Sequence, residues 1–280
     1  MPGPGFPTRT PELNPELPWD RLELSVVVPS FNEAGTIERV LRRVRSLPLK
    51  VEVIVVDDGS TDGSDELLTE LEKTGVIDRL VLHVRNRGKG AALRSGFQAA
   101  TGHVVAVQDA DLEYDPAHLP EMLEPILQGW ADAVYGSRFL GGPHRVHLFW
   151  HFLGNQTLTL LSNVLTDLNV SDMETCYKVI RRDLLQTLPL VQDRFGIEPE
   201  ITARLAQAGA RIYELPISYR GRSYAEGKKI RWTDGIAAFW HILRSNLLPP
   251  RAARWERPER DPWAPSAEGA GARRSLGALE

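Results

Sequence analysis

Val104-Val105-Ala106-Val107-Gln108-Asp109-Ala110-Asp111-Leu112-Glu113-Tyr114 is the stretch from which the fold is read. Its four consecutive apolar residues describe a buried strand. Two carboxylates follow at once, two residues apart, where both can turn toward one point. Such a pair suits a hard divalent cation, Mg²⁺ or Mn²⁺, which takes oxygen ligands and leaves positions open for the phosphates of a nucleotide. It equally suits a strand end followed by a capped turn. The surrounding sequence has to separate the two.

Upstream, the same pattern recurs. Apolar strands are expected over 24–28, ended by Pro29, over 51–56 and over 80–84. A helix follows the first, with Ile37, Val40, Leu41, Val44 and Leu47 at helical spacing, and a shorter one follows the second through Leu67, Leu68 and Leu71. A small-residue helix running to Ala100 follows the third. Alternating strands and helices predict an α/β fold, a Rossmann-like, mostly parallel sheet flanked by helices. Ligands of such sheets bind beyond the carboxyl ends of the strands. The polar clusters at 30–33, 57–62, 85–89 and 109–111 all fall there. Four loops would converge on one crevice, and that favours the cation site. The first strand lacks a G-x-G-x-x-G turn, and Asn86-Arg87-Gly88-Lys89-Gly90 lacks the Walker spacing, which disfavours a dehydrogenase and a P-loop NTPase.

Downstream, helices are expected over 116–128, 146–165, 197–208 and 232–247, with a short strand at 133–135 and an extended segment at 212–219. The two long helices carry Trp150, Trp232 and Trp240 beside Arg145, Arg231 and Arg244. That composition fits a helix lying in a membrane interface, or one packed on a core or a partner. His144, His147 and His151 approach one helical face, but without nearby carboxylates they read as interfacial or solvated. The Pro-rich residues 1–22 and the Pro-, Arg- and Gly-rich residues 249–280 are expected to be disordered. Between them lie one domain over 23–230 and an amphipathic helix over 231–248.

Composition narrows the classes. The chain has 280 residues, 42% hydrophobic and 25% charged, enough for one large α/β domain. A net charge of -4 gives no sign of nucleic-acid binding. The single cysteine, Cys176, rules out an internal disulfide and suits a reducing compartment. No run approaches the ~20 apolar residues of a membrane span, and no secretory signal is seen. A cytoplasmic protein is expected, with any membrane contact peripheral. Composition says nothing of oligomeric state.

Together, Pro29-Ser30-Phe31-Asn32-Glu33, Val55-Val56-Asp57-Asp58-Gly59-Ser60-Thr61-Asp62-Gly63 and Asp109-Ala110-Asp111 resemble the motifs of glycosyltransferase family 2. Asn86-Arg87-Gly88-Lys89-Gly90, Gly136-Ser137-Arg138 and Arg222-Ser223-Tyr224 with Glu226 and Lys228 are most similar to its polyprenyl-phosphate branch, which includes the dolichyl-phosphate mannose synthases and glucosyltransferases. The resemblance spans about 24–245. It implies a GT-A fold and metal-dependent inverting transfer of a hexose from a UDP- or GDP-linked donor to a polyprenyl phosphate.

By the same resemblance, Pro29, Phe31, Asn32, Glu33, Asp57, Asp58 and Gly59 surround the donor nucleotide. Phe31 either packs on the base or staples a helix start, and Asp58 is either a contact or a turn residue. Lys89 and Lys228 meet phosphate. Asp111 ligates the metal, and Asp109 is either a second ligand or a ribose contact. Arg138, Arg222 and Lys228 would hold a phosphate acceptor, unless the two arginines form only surface salt bridges. Asp172 is either a base for a hydroxyl acceptor such as a glycan, glycerate or lipid, or a group that orients Arg138 or Lys178; Glu174 is a second possible base.

Overall fold

In the computed structural model, residues 13–141, 148–221 and 232–263 are described. Arg222 and Lys228, with the rest of the 222–229 loop, lie outside them, as do Arg145, Val146 and His147 at the expected start of the long helix.

The sheet has seven strands: β1 (Glu23–Ser30), β2 (Lys50–Asp57), β3 (Arg79–Leu82), β4 (Val104–Val107), β5 (Ala133–Ser137), β6 (Lys178–Arg181) and β7 (Ile212–Pro216). Their order is β3-β2-β1-β4-β6-β5-β7. β1 lies between β2 and β4 and is parallel to both, with Val26 beside Val53 and Ala106. β5 runs parallel to β7. β6 runs antiparallel to both β4 and β5. The expected α/β sheet is therefore present and mostly parallel, with one inserted antiparallel strand that the sequence did not reveal. Lys-Val-Ile-Arg is too short and too charged at its ends to show a period.

Strand alternation sends Leu24, Val26 and Val28 to one face of the sheet and Val27 to the other. On the first face pack α1 (Ile37–Arg45), α2 (Ser64–Lys73) and α4 (Leu119–Leu127). On the second pack α3 (Lys89–Ala99), the single-turn α6 (Arg182–Leu185) and α7 (Ile197–Ala208). Gly96 lets α3 lie directly on β1, since a Cβ there would collide with Val27. α5 (Phe149–Thr166) and α8 (Trp232–Leu247) contact each other and α7.

Both ends of the chain correct the expectation of disorder in their described parts. Residues 19–21 form a 3₁₀ turn, Leu17 and Trp19 pack on the core, and Leu22 is buried. After α8, residues 249–263 strap the amino-terminal edge of the sheet. Trp255 donates its N–H to Ala208, and Arg257 pairs with Asp132 at 2.6 Å. The Arg181 guanidinium lies between the rings of Trp255 and Trp263, at 5.5 and 4.8 Å, and pairs with Asp183 and Asp261. Isolated anchors of this kind leave no periodicity, so composition alone reads as disorder.

Trp263 is 2% exposed. Trp263→Ala should therefore lower the unfolding free energy by about 3 kcal/mol. Urea denaturation checks this through a lower midpoint at unchanged slope.

Candidate functional site

The crevice lies at the carboxyl ends of β1, β2, β4 and β5. The loops after β1 and β2 are stitched together. Ser60 donates its N–H and hydroxyl to the two carboxylate oxygens of Asp57, at 2.9 and 2.5 Å. Ser60 Oγ in turn accepts from the Asn32 N–H, while Asn32 Oδ1 accepts from Thr61. Asn32 adopts a left-handed φ of 53°, a conformation that asparagine tolerates better than most residues. Glu33 Oε2 accepts from Thr36, whose hydroxyl also lies 3.0 Å from the Ala110 carbonyl. Thr36 thereby links Glu33, after β1, to the loop after β4, and Phe31 is 36% exposed.

Asp58 is tied into the neighbouring loop. It is 3% exposed, and its oxygens accept from the Arg87 and Gly88 N–H groups and lie 2.7 Å from His83 Nδ1. It shapes the loop before Lys89, the turn-residue role of the two expected for it. Gly59 serves the same loop: its φ is +74°, and a Cβ would meet the Arg85 backbone at 2.7 Å.

Lys89 opens α3. Its Nζ lies 2.6 Å from Asp109 Oδ1 and 3.6 Å from Glu198, and donates to Cys176 Sγ at 2.8 Å. Burial works against its charge, but Asp109, Cys176 and Glu198 outweigh it and hold the ammonium well above its ordinary pKa. Asp109 and Asp111 both sit just past β4, and Asp111 Oδ1 accepts from the Glu113 N–H at 3.0 Å. Among the described residues, no group of three or more Asp, Glu, His or Cys could hold a metal ion. A cation at Asp111 would need further oxygens from a ligand. That open set fits Mg²⁺ or Mn²⁺ on a diphosphate.

Across the crevice, Arg138 follows β5. Its Nε and Nη2 each donate to Asp172 at 2.7 Å, and its own N–H donates to the same carboxylate at 3.0 Å. The guanidinium also lies 5.2 Å from the Tyr219 ring and 5.6 Å from that of Phe139. Asp172 is wholly buried. Both of its oxygens accept from Arg138, the arrangement of an orienting group.

Two carboxylates matter more than the sequence suggested. Glu198 on α7 is 3% exposed and accepts from Lys178 at 2.9 Å, besides facing Lys89. It shares a helical face with Ile201 and Leu205, and an acid on an apolar stripe was the available signal. Glu174 has its Oε1 buried without a hydrogen-bond partner. Burial, then the charges of Glu198 and Asp172, push its pKa up to about 7 against the opposing Lys178 and Arg138. Desolvation cannot be read from a sequence.

The family model described as glycosyl transferase family 2 matches residues 25–188. An undecaprenyl-phosphate mannosyltransferase of Micrococcus luteus is 30% identical over 251 residues, covering 81% of this chain and 99% of that protein. A dodecaprenyl-phosphate galacturonate synthase of Rhizobium johnstonii is 29% identical, covering 75% of this chain but 63% of its own length. The fold is shared with a crystal structure of glucosyl-3-phosphoglycerate synthase from Mycobacterium tuberculosis with Mn²⁺ and UDP-glucose. It has a TM-score of 0.65 and 23% identity over 83% of this chain and 82% of that one.

The raised Glu174 pKa has a stability consequence. The folded carboxyl keeps its proton up to about pH 7, whereas an unfolded glutamate loses it near ~4.3. Folding therefore weakens as pH rises through that window. Glu174→Gln should match wild type at pH 5 and exceed it at pH 8 by on the order of 2 kcal/mol. Urea unfolding of both proteins at the two pH values measures the difference.

Proposed function

The chain belongs to glycosyltransferase family 2 and is a glycosyltransferase, and from that premise we propose that it moves a hexose from a UDP- or GDP-linked donor to a polyprenyl phosphate at a membrane surface, with inversion at the anomeric carbon. The observation that carries this proposal is the fixed guanidinium of Arg138, locked by Asp172 and roofed by aromatic rings.

A phosphate monoester has its second pKa near ~6 and is largely dianionic at neutral pH. Its oxygen can attack the anomeric carbon without surrendering a proton to the enzyme. It needs a cation held in place, and Arg138 is one; Arg222 and Lys228 belong to the same proposed set. A hydroxyl acceptor would need a base, whereas Asp172 is buried and already accepts three hydrogen bonds from Arg138. The polyprenyl-phosphate acceptors in the names of the relatives agree with this choice.

On the donor side, Pro29, Phe31, Asn32, Glu33 and Asp57 border the nucleotide, and Lys89 brings positive charge toward the diphosphate. Asp111, with Asp109 beside it, would hold Mg²⁺ or Mn²⁺ together with the donor's phosphate oxygens. Bound there, the metal neutralises charge on the departing nucleotide. As the new phosphate–carbon bond forms, the bond from the anomeric carbon to the diphosphate oxygen breaks, and the nucleotide leaves with the electron pair.

The membrane contact is assigned to α5 and α8. Trp150 is 76% and Trp240 56% exposed, with Phe149 and Phe239 also uncovered. Between the helices lies an apolar cavity of about 580 Å³ lined by Trp150, Leu153, Leu158 and Phe239. Phe139 links it to the acceptor cation, lying 5.6 Å from Arg138 and 5.5 Å from Phe152 on α5. The isoprenoid tail would follow that path. Among the described residues no helix is long and apolar enough to cross a membrane, so this face is the proposed anchor.

Nucleotide release from a panel of UDP- and GDP-sugars should rise on adding polyprenyl phosphate, and stop with EDTA or in Asp111→Ala. Stimulation only by hydroxyl acceptors would refute the lipid-phosphate assignment. The double variant Trp150→Asp/Phe239→Asp should lose co-sedimentation with anionic liposomes while still using a short-chain, water-soluble polyprenyl phosphate.

A further inference from the structure

Residues 171–177 join α5 to β6 and run along the floor of the crevice. Nearly every polar side chain in them has a partner. Ser171 meets Ser137 and Glu214, Asp172 holds Arg138, Thr175 donates to the Gly136 carbonyl, and Cys176 accepts from Lys89. Tyr177 donates to the Asp115 carbonyl. Glu174 is the exception, with its Oε1 buried and unpartnered. Buried polar atoms in native proteins are nearly always hydrogen-bonded, so an orphan inside a site calls for a ligand.

Its neighbours say where that ligand lies. Glu198, Lys178, Arg138 and Asp172 all lie close enough to Glu174 to act on its charge. Glu198 belongs with Lys89 and Asp109, the donor-phosphate side. Arg138 is the acceptor side. Neither nearby cation hydrogen-bonds the Glu174 Oε1 atom. Lys178 is spent on the Met173 and Thr175 carbonyls and on Glu198, and Arg138 on Asp172. When a sugar passes from one phosphate to another, the fragment between the two is the sugar ring with its hydroxyls.

We propose that Glu174 hydrogen-bonds a hydroxyl of the transferred hexose and is a specificity-determining residue for the sugar. This rests on the transferase function proposed above. A carboxyl group can accept from a sugar hydroxyl and, when protonated, also donate to one. A site built to hydrogen-bond a hydroxyl rejects the epimer that lacks it there, because the buried group is then left unpaired.

The test is donor binding, measured by calorimetry with Mn²⁺ for UDP-glucose, UDP-galactose, GDP-mannose, UDP and GDP. Glu174→Ala should weaken the preferred sugar nucleotide by about tenfold and leave the matching free nucleotide within about twofold. Glu174→Gln, which keeps shape and hydrogen-bonding atoms, should hold that affinity within about threefold and narrow the gap between epimers. Equal losses for sugar nucleotide and free nucleotide, or no loss in either, would overturn the proposal. So would unchanged binding with turnover cut alike in both variants, the mark of a general base. A wild type that binds a donor yet never glycosylates polyprenyl phosphate refutes the acceptor assignment alone, because none of these measurements involves an acceptor.

Discussion

The buried ion pair between Lys178 and Glu198 is the contact on which the site depends. Lys178 Nζ is wholly enclosed, and its three donors go to the Met173 and Thr175 carbonyls and to Glu198. Its stem leaves β6, its partner sits on α7, and the two carbonyls belong to the segment between α5 and β6. One ammonium therefore fixes three parts of the fold. Removing one partner of a buried pair typically costs about 3–5 kcal/mol, because the other charge stays behind unpaired. Here the loss would also release the backbone that presents Asp172, Glu174 and Cys176.

From that segment the charges divide by direction. Cys176 reaches Lys89, which Asp109 and Glu198 keep charged. Asp172 reaches Arg138, and Glu214 accepts from the Ser171 and Asp172 N–H groups behind it. Two cations, Lys89 and Arg138, are thus held in place by side chains of one short segment. Such preorganisation means that little reorientation is needed when charge moves between two phosphates. The acids around these cations hold each lysine or arginine in position and offset the cost of burying its charge.

Much of this was legible in the sequence. The parallel strands, the helices on both faces and the crevice beyond β1, β2 and β4 follow from apolar periodicity and from where the polar loops fall. The motifs around Phe31, Asp57 and Asp109 led to the family. What escaped notice was non-local. β6 is four residues long, and its charged ends, Lys178 and Arg181, are buried only because Glu198 and Asp261 lie distant in sequence. Asp58 was open between a contact and a turn residue; its partners, His83 and the Arg87 and Gly88 N–H groups, come from the loop after β3 and could not be seen in the motif. The strap over 249–263 depends on single aromatic and arginine anchors that no period announces.

On the proposed acceptor assignment, the path from Arg138 to α5 ties the acceptor's two halves to one piece of chain. Arg138 and Phe139 are adjacent in sequence, so a phosphate at the first places its first isoprene units over the second. Phe139 meets Phe152 edge to face, and one residue further along α5 Leu153 lines the apolar cavity. Charged head and apolar tail are then read by neighbouring residues rather than by separate domains. A small soluble phosphate would satisfy Arg138 but leave the aromatic path and the cavity empty. Burying apolar surface contributes about 25 cal/mol per Å², so a lipid-linked phosphate would bind more tightly than inorganic phosphate at the same guanidinium. The exposed face of α5 and α8 is, in this arrangement, the outer wall of the acceptor's own binding path.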